Sequence, residues 1–235
     1  MVKRSAAIMH KKFAVIGLGR FGARLARTLS ATGGEVIAID RDADLVEKLR
    51  DDVALAVRLD STDAGALKAQ GVDQVDVVVV GIGEDFESSA LTVATLKSLE
   101  VKHIVARAQR DIQAQILRSV GADQIVLPEG ESAIRWAHRL TLPNIKEYVE
   151  LNEGYSMVHM VAPELFHDKT LAELGLRNKH GLNLIAIRRH ATADEGVKPA
   201  AAPAISLPEA GTKILPGDVL VLVGSNEALS RLSQE

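Results

Sequence analysis

Apolar and polar positions fall into alternating blocks along the first half of the chain. Short runs rich in β-branched residues are separated by longer stretches whose apolar residues recur at helical spacing. Residues 13–16 and 36–39 predict the first two strands, and 54–57 a weaker third. Residues 75–80 are nearly all valine, the pattern of a strand buried on both faces. Residues 104–106 and 124–127 predict two more strands. Helices are predicted between them at 20–31, 42–50, 64–70, 86–99 and 111–120, with Gly71 and Gly121 as stop signals. Six strands joined by five helical crossovers predict an α/β fold, a Rossmann-like doubly wound parallel sheet with its crevice at the carboxyl ends of the strands.

The pattern changes in the second half. A helix at 131–140 is interrupted at 141–144. Strands then follow at 157–161, 182–187 and 219–223, with a short helix at 170–176 and a turn at Pro216-Gly217-Asp218. Residues 191–208 are rich in alanine and proline and predict a mobile loop. The domain reading is therefore a leading segment over 1–11, a nucleotide-binding domain over 12–130, a crossover helix and linker over 131–148, and a small α+β module over 149–235.

Candidate chemistry concentrates at the first turn. Gly17-Leu18-Gly19-Arg20-Phe21-Gly22 follows the first strand and opens the first helix, and the second strand ends on Asp40. Strand, glycine turn, helix, strand and acid form the dinucleotide-binding fingerprint. In it the first glycine allows the turn, the second lets backbone approach a pyrophosphate, and the third lets helix and sheet pack closely. The free N–H groups and positive end of the helix then face the phosphates. Asp40 either accepts hydrogen bonds from ribose hydroxyls or caps the next helix. Arg41 either stacks near adenine or points to solvent. Arg20, inside the glycine loop, either meets a terminal phosphate or is solvated. The polar side chains of Asp60, Ser61, Thr62 and Asp63 either reach the adenine edge or cap the helix that starts near Ala64. Gly81, Ile82 and Gly83 form a turn or a second ligand-facing loop, and Arg107 ends the fifth strand facing the same crevice.

Composition narrows the function classes. The 235 residues carry a net charge of −3 with both signs interspersed, against a nucleic-acid partner. There is no cysteine, which removes disulfides, thiol catalysis and cysteine-bound zinc. No apolar run approaches the ~18 residues of a membrane span. These features predict a soluble, cytoplasmic protein. The seven histidines show no helical ligand spacing, and Trp136 reads as a core or interface anchor. No serine elbow, phosphate-binding lysine loop or poised acid–base pair stands out, so an NAD-dependent oxidoreductase is the alternative rather than the leading class.

The segment from Phe13 to Gly22, with its Arg-Phe pair inside the glycine loop, resembles the regulatory RCK (KTN) subunits of Ktr and Trk potassium transporters, the KtrA type in particular. Residues 59–63, the Gly81 turn, 121–129, 171–177 and 216–220 resemble the same family. The resemblance implies a non-enzymatic subunit that dimerises and assembles into a homo-octameric gating ring. That ring sits on the inner face of the cell membrane against a potassium-translocating subunit. It implies ATP and ADP as ligands, with NAD or NADH able to occupy the site. Arg20 falls at the family position for the terminal phosphate, and Glu129 at that for an acid holding a divalent cation (Mg2+) or Na+. Some members bind cyclic di-AMP between two C-terminal modules, and Arg177, Asn183 and Leu184 fall near that pocket. ATP and ADP share every group but the terminal phosphate, so only contacts to that phosphate can discriminate them.

Overall fold

The computed structural model describes residues 11–141, 144–189 and 204–232. The chain divides into two compact units, Met1–Gly130 and Glu131–Glu235. In the first, strands β1 (Lys12–Ile16), β2 (Glu35–Asp40), β3 (Leu55–Arg58), β4 (Val77–Val80), β5 (Ile104–Arg107) and β6 (Gln124–Val126) form one parallel sheet. The strand order is β3-β2-β1-β4-β5-β6. The order reverses between β1 and β4, the switch point at which open α/β sheets bind ligands. Helices α1 (Arg20–Ala31), α2 (Ala43–Glu47), α3 (Ala64–Ala69), α4 (Phe86–Ser98) and α5 (Asp111–Val120) make the crossovers. Two apolar clusters line the sheet, one around Ile16, Val78, Val80 and Ile104, the other around Val15, Leu18, Ala26 and Val36. Alternate residues of β1 feed each cluster, which is why its apolar run is unbroken.

Several boundaries differ from the periodic reading. The helix expected over 42–50 is only α2, because Asp42 caps it by accepting from Asp44 N–H and the chain then closes into tight turns. Val75 follows a 3-10 turn, Val72–Gln74, and the strand starts at Val77. Helix α6 (Pro128–Thr141) begins three residues before its expected start. Proline fits a first helical position, where its missing N–H costs nothing and its fixed φ suits the helix.

The second unit contains a five-stranded antiparallel sheet ordered β10-β9-β11-β8-β7. Its strands are β7 (Ile145–Asn152), β8 (Tyr155–Val161), β9 (Asn183–Arg189), β10 (Ala204–Ser206) and β11 (Val219–Ser225). Strand β7 occupies part of the stretch read as linker, and it pairs with β8 through a hairpin turned at Gly154, φ +89°. Its apolar residues are interrupted by Lys146, Glu147 and Glu150 along a sheet edge, so it lacks the continuous apolar run of a central strand. The loop expected over 191–208 contains β10, paired antiparallel to β9; residues 190–203 and the leading segment 1–10 lie outside the described residues. Gly175, at φ +55°, splits the helix expected over 170–176 into α7 (Leu171–Leu174) and α8 (Leu176–His180). A final helix, α9 (Asn226–Leu232), packs Ala228, Leu229 and Leu232 into the core of this unit and was not read from the sequence. Trp136 is not a core anchor within the chain: it is 54% exposed, with the Arg139 guanidinium 5.2 Å from its ring centroid. Among the described residues no helix is long and apolar enough to cross a membrane.

The second unit is pinned by one ion pair. Asp218, only 1% exposed, accepts from Arg189 Nε at 2.8 Å and Nη2 at 2.7 Å, and from Leu215 N–H at 2.9 Å. Burial pushes its carboxyl up, but these donors and the Arg189 charge outweigh burial and hold it below the ordinary carboxylate range. A lowered folded-state value means that the stabilisation is full above the unfolded value of about 3.9 and is lost as pH falls through the folded one. Asp218→Asn is therefore expected to cost about 1.5–3 kcal/mol at pH 7. The gap to the unsubstituted chain should narrow below about pH 4. Denaturant unfolding across pH measures this, and a gap that stays constant to low pH would contradict it.

Candidate functional site

The turn from β1 into α1 is fixed by contacts that exclude side chains. Gly17 sits at φ +89°, and its N–H donates to the Ile39 carbonyl at 2.8 Å. Gly81 N–H donates to the Ile16 carbonyl at 2.7 Å, which ties the end of β4 to the same turn. A Cβ on Gly17 would lie 2.8 Å from the Ile82 nitrogen, and one on Gly22 would lie 1.9 Å from the Gly17 carbonyl oxygen. Both glycines are thus required by the fold. Gly19 is different. Its φ of −61° suits any residue, and a Cβ there would meet nothing within 4 Å. The empty space beside it belongs to a cavity of about 990 Å3 at the carboxyl ends of the strands. Helix α1 opens at this cavity with no side-chain cap and no acidic residue in its first turn. Its first N–H groups are left for an anion.

Every candidate residue of the cofactor site lines this one cavity except Gly22, which lies beneath it against Gly17. Asp40 is not the cap of α2, a task Asp42 performs. Instead Asp40 Oδ2 accepts from Leu18 N–H at 2.6 Å and Oδ1 from Asp42 N–H at 2.9 Å, which fixes the glycine loop to the end of β2. Arg41 Nη1 stands 3.5 Å from Asp85 Oδ2 across the cavity. Asp60 accepts from both Thr62 N–H and Thr62 Oγ1, and these bonds keep its carboxyl below its usual value. Asp63, the last residue of the polar run 60–63, caps α3 by accepting from Gly65 and Ala66 N–H. The Ser61 hydroxyl is buried and hydrogen-bonded with Thr92 Oγ1 at 2.7 Å, and the residue borders the cavity.

Two arginines flank the glycine loop. Arg20 lines the cavity and, among the described residues, its side chain makes no ion pair or hydrogen bond. Arg107 Nη2 donates to Glu129 Oε1 at 2.5 Å, and its guanidinium lies 5.8 Å from the Phe21 ring centroid. Gly83 leaves room for Arg107, because a Cβ there would come within 2.6 Å of Nη1. Glu129 therefore faces a guanidinium. Among the described residues no group of three or more His, Asp or Glu side chains is placed to hold a metal ion. These residues do not by themselves fit a resident Mg2+ or Na+.

Arg177 and Asn183 are exposed on α8 and β9, while Leu184 packs against the core of the second unit. The three line neither the large cavity nor the smaller one between α6 and β7. Sequence reasoning missed Asp85 and Ser88. Asp85 caps α4 by accepting from Ser88 N–H at 3.0 Å and Ser88 Oγ at 2.7 Å, and these bonds lower its carboxyl. An Asp just before a predicted helix signals that cap. Nothing in the sequence signals its approach to Arg41, 44 positions away.

The two glycines separate binding from folding. Gly19→Ala should change stability by less than about 1 kcal/mol, since it adds one methyl at an unstrained helix cap. It should weaken adenine-nucleotide binding at least tenfold. Gly22→Ala should impair folding itself. Thermal unfolding with nucleotide titration checks both, and unchanged affinity in the Gly19 variant would remove that glycine from the site.

Comparison with known proteins follows this geometry. Residues 13–128 match the TrkA-N domain and residues 157–235 the TrkA-C domain. The chain is 39% identical over 226 residues to Ktr system potassium uptake protein C of Bacillus subtilis, covering 96% of this chain and 97% of that protein. It is 32% identical to Ktr system potassium uptake protein A of the same organism, covering 97% and 98%. The protein A of Vibrio alginolyticus is 30% identical, covering 94% and 95%. Among solved structures, the GsuK RCK domain shares the fold with a TM-score of 0.63 at 19% identity, over 96% of this chain and 47% of that one. The GsuK channel bound to NAD aligns with a TM-score of 0.50 at 25% identity, over 95% and 38%. This chain thus spans less than half of either GsuK chain. The full-length relatives are potassium-uptake proteins rather than enzymes, which sets aside the oxidoreductase alternative. The chain belongs to the family of Ktr potassium-uptake regulatory subunits built from one TrkA-N and one TrkA-C domain.

Proposed function

We propose that this chain senses adenine nucleotides in the β1–α1 cleft and thereby gates a membrane potassium-translocating subunit of the Ktr or Trk type. The observation that carries the reading is Arg20, which among the described residues makes no ion pair or hydrogen bond and stands at an uncapped helix N-terminus beside the side-chain-free Gly19. A diphosphate bridge needs only the backbone N–H groups of such a loop. An additional cation suits a ligand with a further terminal charge. Asp40, Arg41, Asp60 and Ser61 would then border the adenosine, and Gly17, Gly19, Arg20, Phe21 and Arg107 the phosphates, with Gly81, Ile82 and Gly83 on the opposite wall. The similarity to a channel that binds NAD supports a cleft able to take NAD or NADH as well.

The full-length similarity to three potassium-uptake proteins supports the transporter partner. In this reading the chain acts as a homodimer within a homo-octameric ring on the cytoplasmic face of the membrane, attached there through its partner. ATP and ADP favour different ring shapes. The discriminating contact is the terminal phosphate with Arg20, and a coupling of about 1–3 kcal/mol per site, or roughly 5–150-fold, suffices. Cyclic di-AMP at Arg177, Asn183 and Leu184 would be a second input, through paired C-terminal units.

Arg20→Ala should bring the affinities for ATP and ADP to within about twofold of each other while leaving NADH binding unchanged. Calorimetric titration of the three ligands measures this. Equal losses for all three would remove the phosphate-sensing role from Arg20.

A further inference from the structure

Arg107 is held on three sides and used on only part of a fourth. It ends β5, its guanidinium is stacked near Phe21, and it fills the space that Gly83 leaves. Its side chain is 14% exposed. The Nε and Nη2 hydrogens of a guanidinium lie along one edge and suit two oxygens of a single anion. Here Nη2 is taken by Glu129, while Nε is buried and has no hydrogen-bond partner among the described residues. A buried donor left unpaired is costly, and the whole edge is satisfied by a group presenting two oxygens. Glu129, in contrast, is 65% exposed on the first turn of α6, and swinging it into water costs little.

We infer that Glu129 is a built-in competitor for the ligand's phosphate. It occupies Arg107 when the cleft holds no phosphate and yields that guanidinium edge when a nucleotide polyphosphate arrives. The inference rests on the reading of the cleft as a nucleotide site and adds to it a regulated cation. The phosphate gains both Nε and Nη2, and Glu129 is released from β5. Glu129 lies in the first turn of α6, so ligand entry changes the restraint on the start of that helix. The ligand class is set by charge. A polyphosphate displaces a carboxylate from a guanidinium more readily than a monophosphate does, and an uncharged adenosine does not displace it at all.

The test is titration of the full chain with ATP, ADP, AMP and adenosine in buffer containing a chelator and no divalent cation. Glu129→Gln removes the competing charge at an exposed position. It should tighten ATP and ADP binding about five- to tenfold and leave adenosine unchanged. Arg107→Gln should weaken ATP at least tenfold and abolish the gain when combined with Glu129→Gln. If the unsubstituted chain binds ATP but Glu129→Gln binds it equally or more weakly, the competition is overturned while the nucleotide reading stands. Tightening that persists in the double variant also overturns it, since the gain would not pass through Arg107. A chain that takes none of the four ligands overturns the nucleotide reading and the inference together.

Discussion

The first unit depends on one close backbone approach. The Gly17 carbonyl oxygen lies where a Cβ of Gly22 would be, and Gly81 crowds the same oxygen, with its own Cβ position 3.1 Å away. Strand β1 and helix α1 can meet this closely only because Gly17 and Gly22 carry no side chain, and Gly81 lets the end of β4 come tight against the same oxygen. That meeting brings the N-terminus of α1 over the carboxyl edge of the sheet at the point where strand order reverses. The uncapped N–H groups, the void beside Gly19 and the positions of Arg20 and Phe21 follow from it.

Charge then divides the cleft. Arg20 and Arg107 stand beside the glycine loop, and the carboxylates of Asp40, Asp60 and Asp85 border the rest of the cavity. Asp60 and Asp85 are kept ionised by nearby N–H and hydroxyl donors, so their negative charge is a fixed part of that wall. The arginines differ in their freedom: among the described residues the Arg20 side chain makes no ion pair or hydrogen bond, and Arg107 is clamped by Phe21, the Gly83 gap and Glu129. A fixed cation and a free one can respond differently to the same phosphate chain.

The parallel sheet was legible because its central strands β1 and β4 are largely buried and read as apolar runs, whereas the edge strands β3 and β6 are only partly covered and give weaker runs. The glycine loop was legible because its spacing has a mechanical reason. What the sequence concealed has physical causes. Strand β7 lies on a sheet edge and its apolar residues are broken up by Lys146, Glu147 and Glu150, so it carries no continuous run. Helix α9 is seven residues long, too short for a secure period. Asp40 was singled out, yet its bonds to Leu18 and Asp42 depend on a loop conformation that spacing alone does not set. The Arg107–Glu129 and Arg41–Asp85 pairs join residues 22 and 44 positions apart, brought together only by the strand order.

The central claim is that the cleft distinguishes nucleotides by their terminal phosphate. Calorimetric titration of the unsubstituted chain with ATP, ADP and NADH, with magnesium present, tests it most directly. The account predicts saturable binding of both ATP and ADP, with affinities or enthalpies that differ between them. NADH binding with ATP and ADP silent would contradict it, because the loop would then read only a diphosphate bridge.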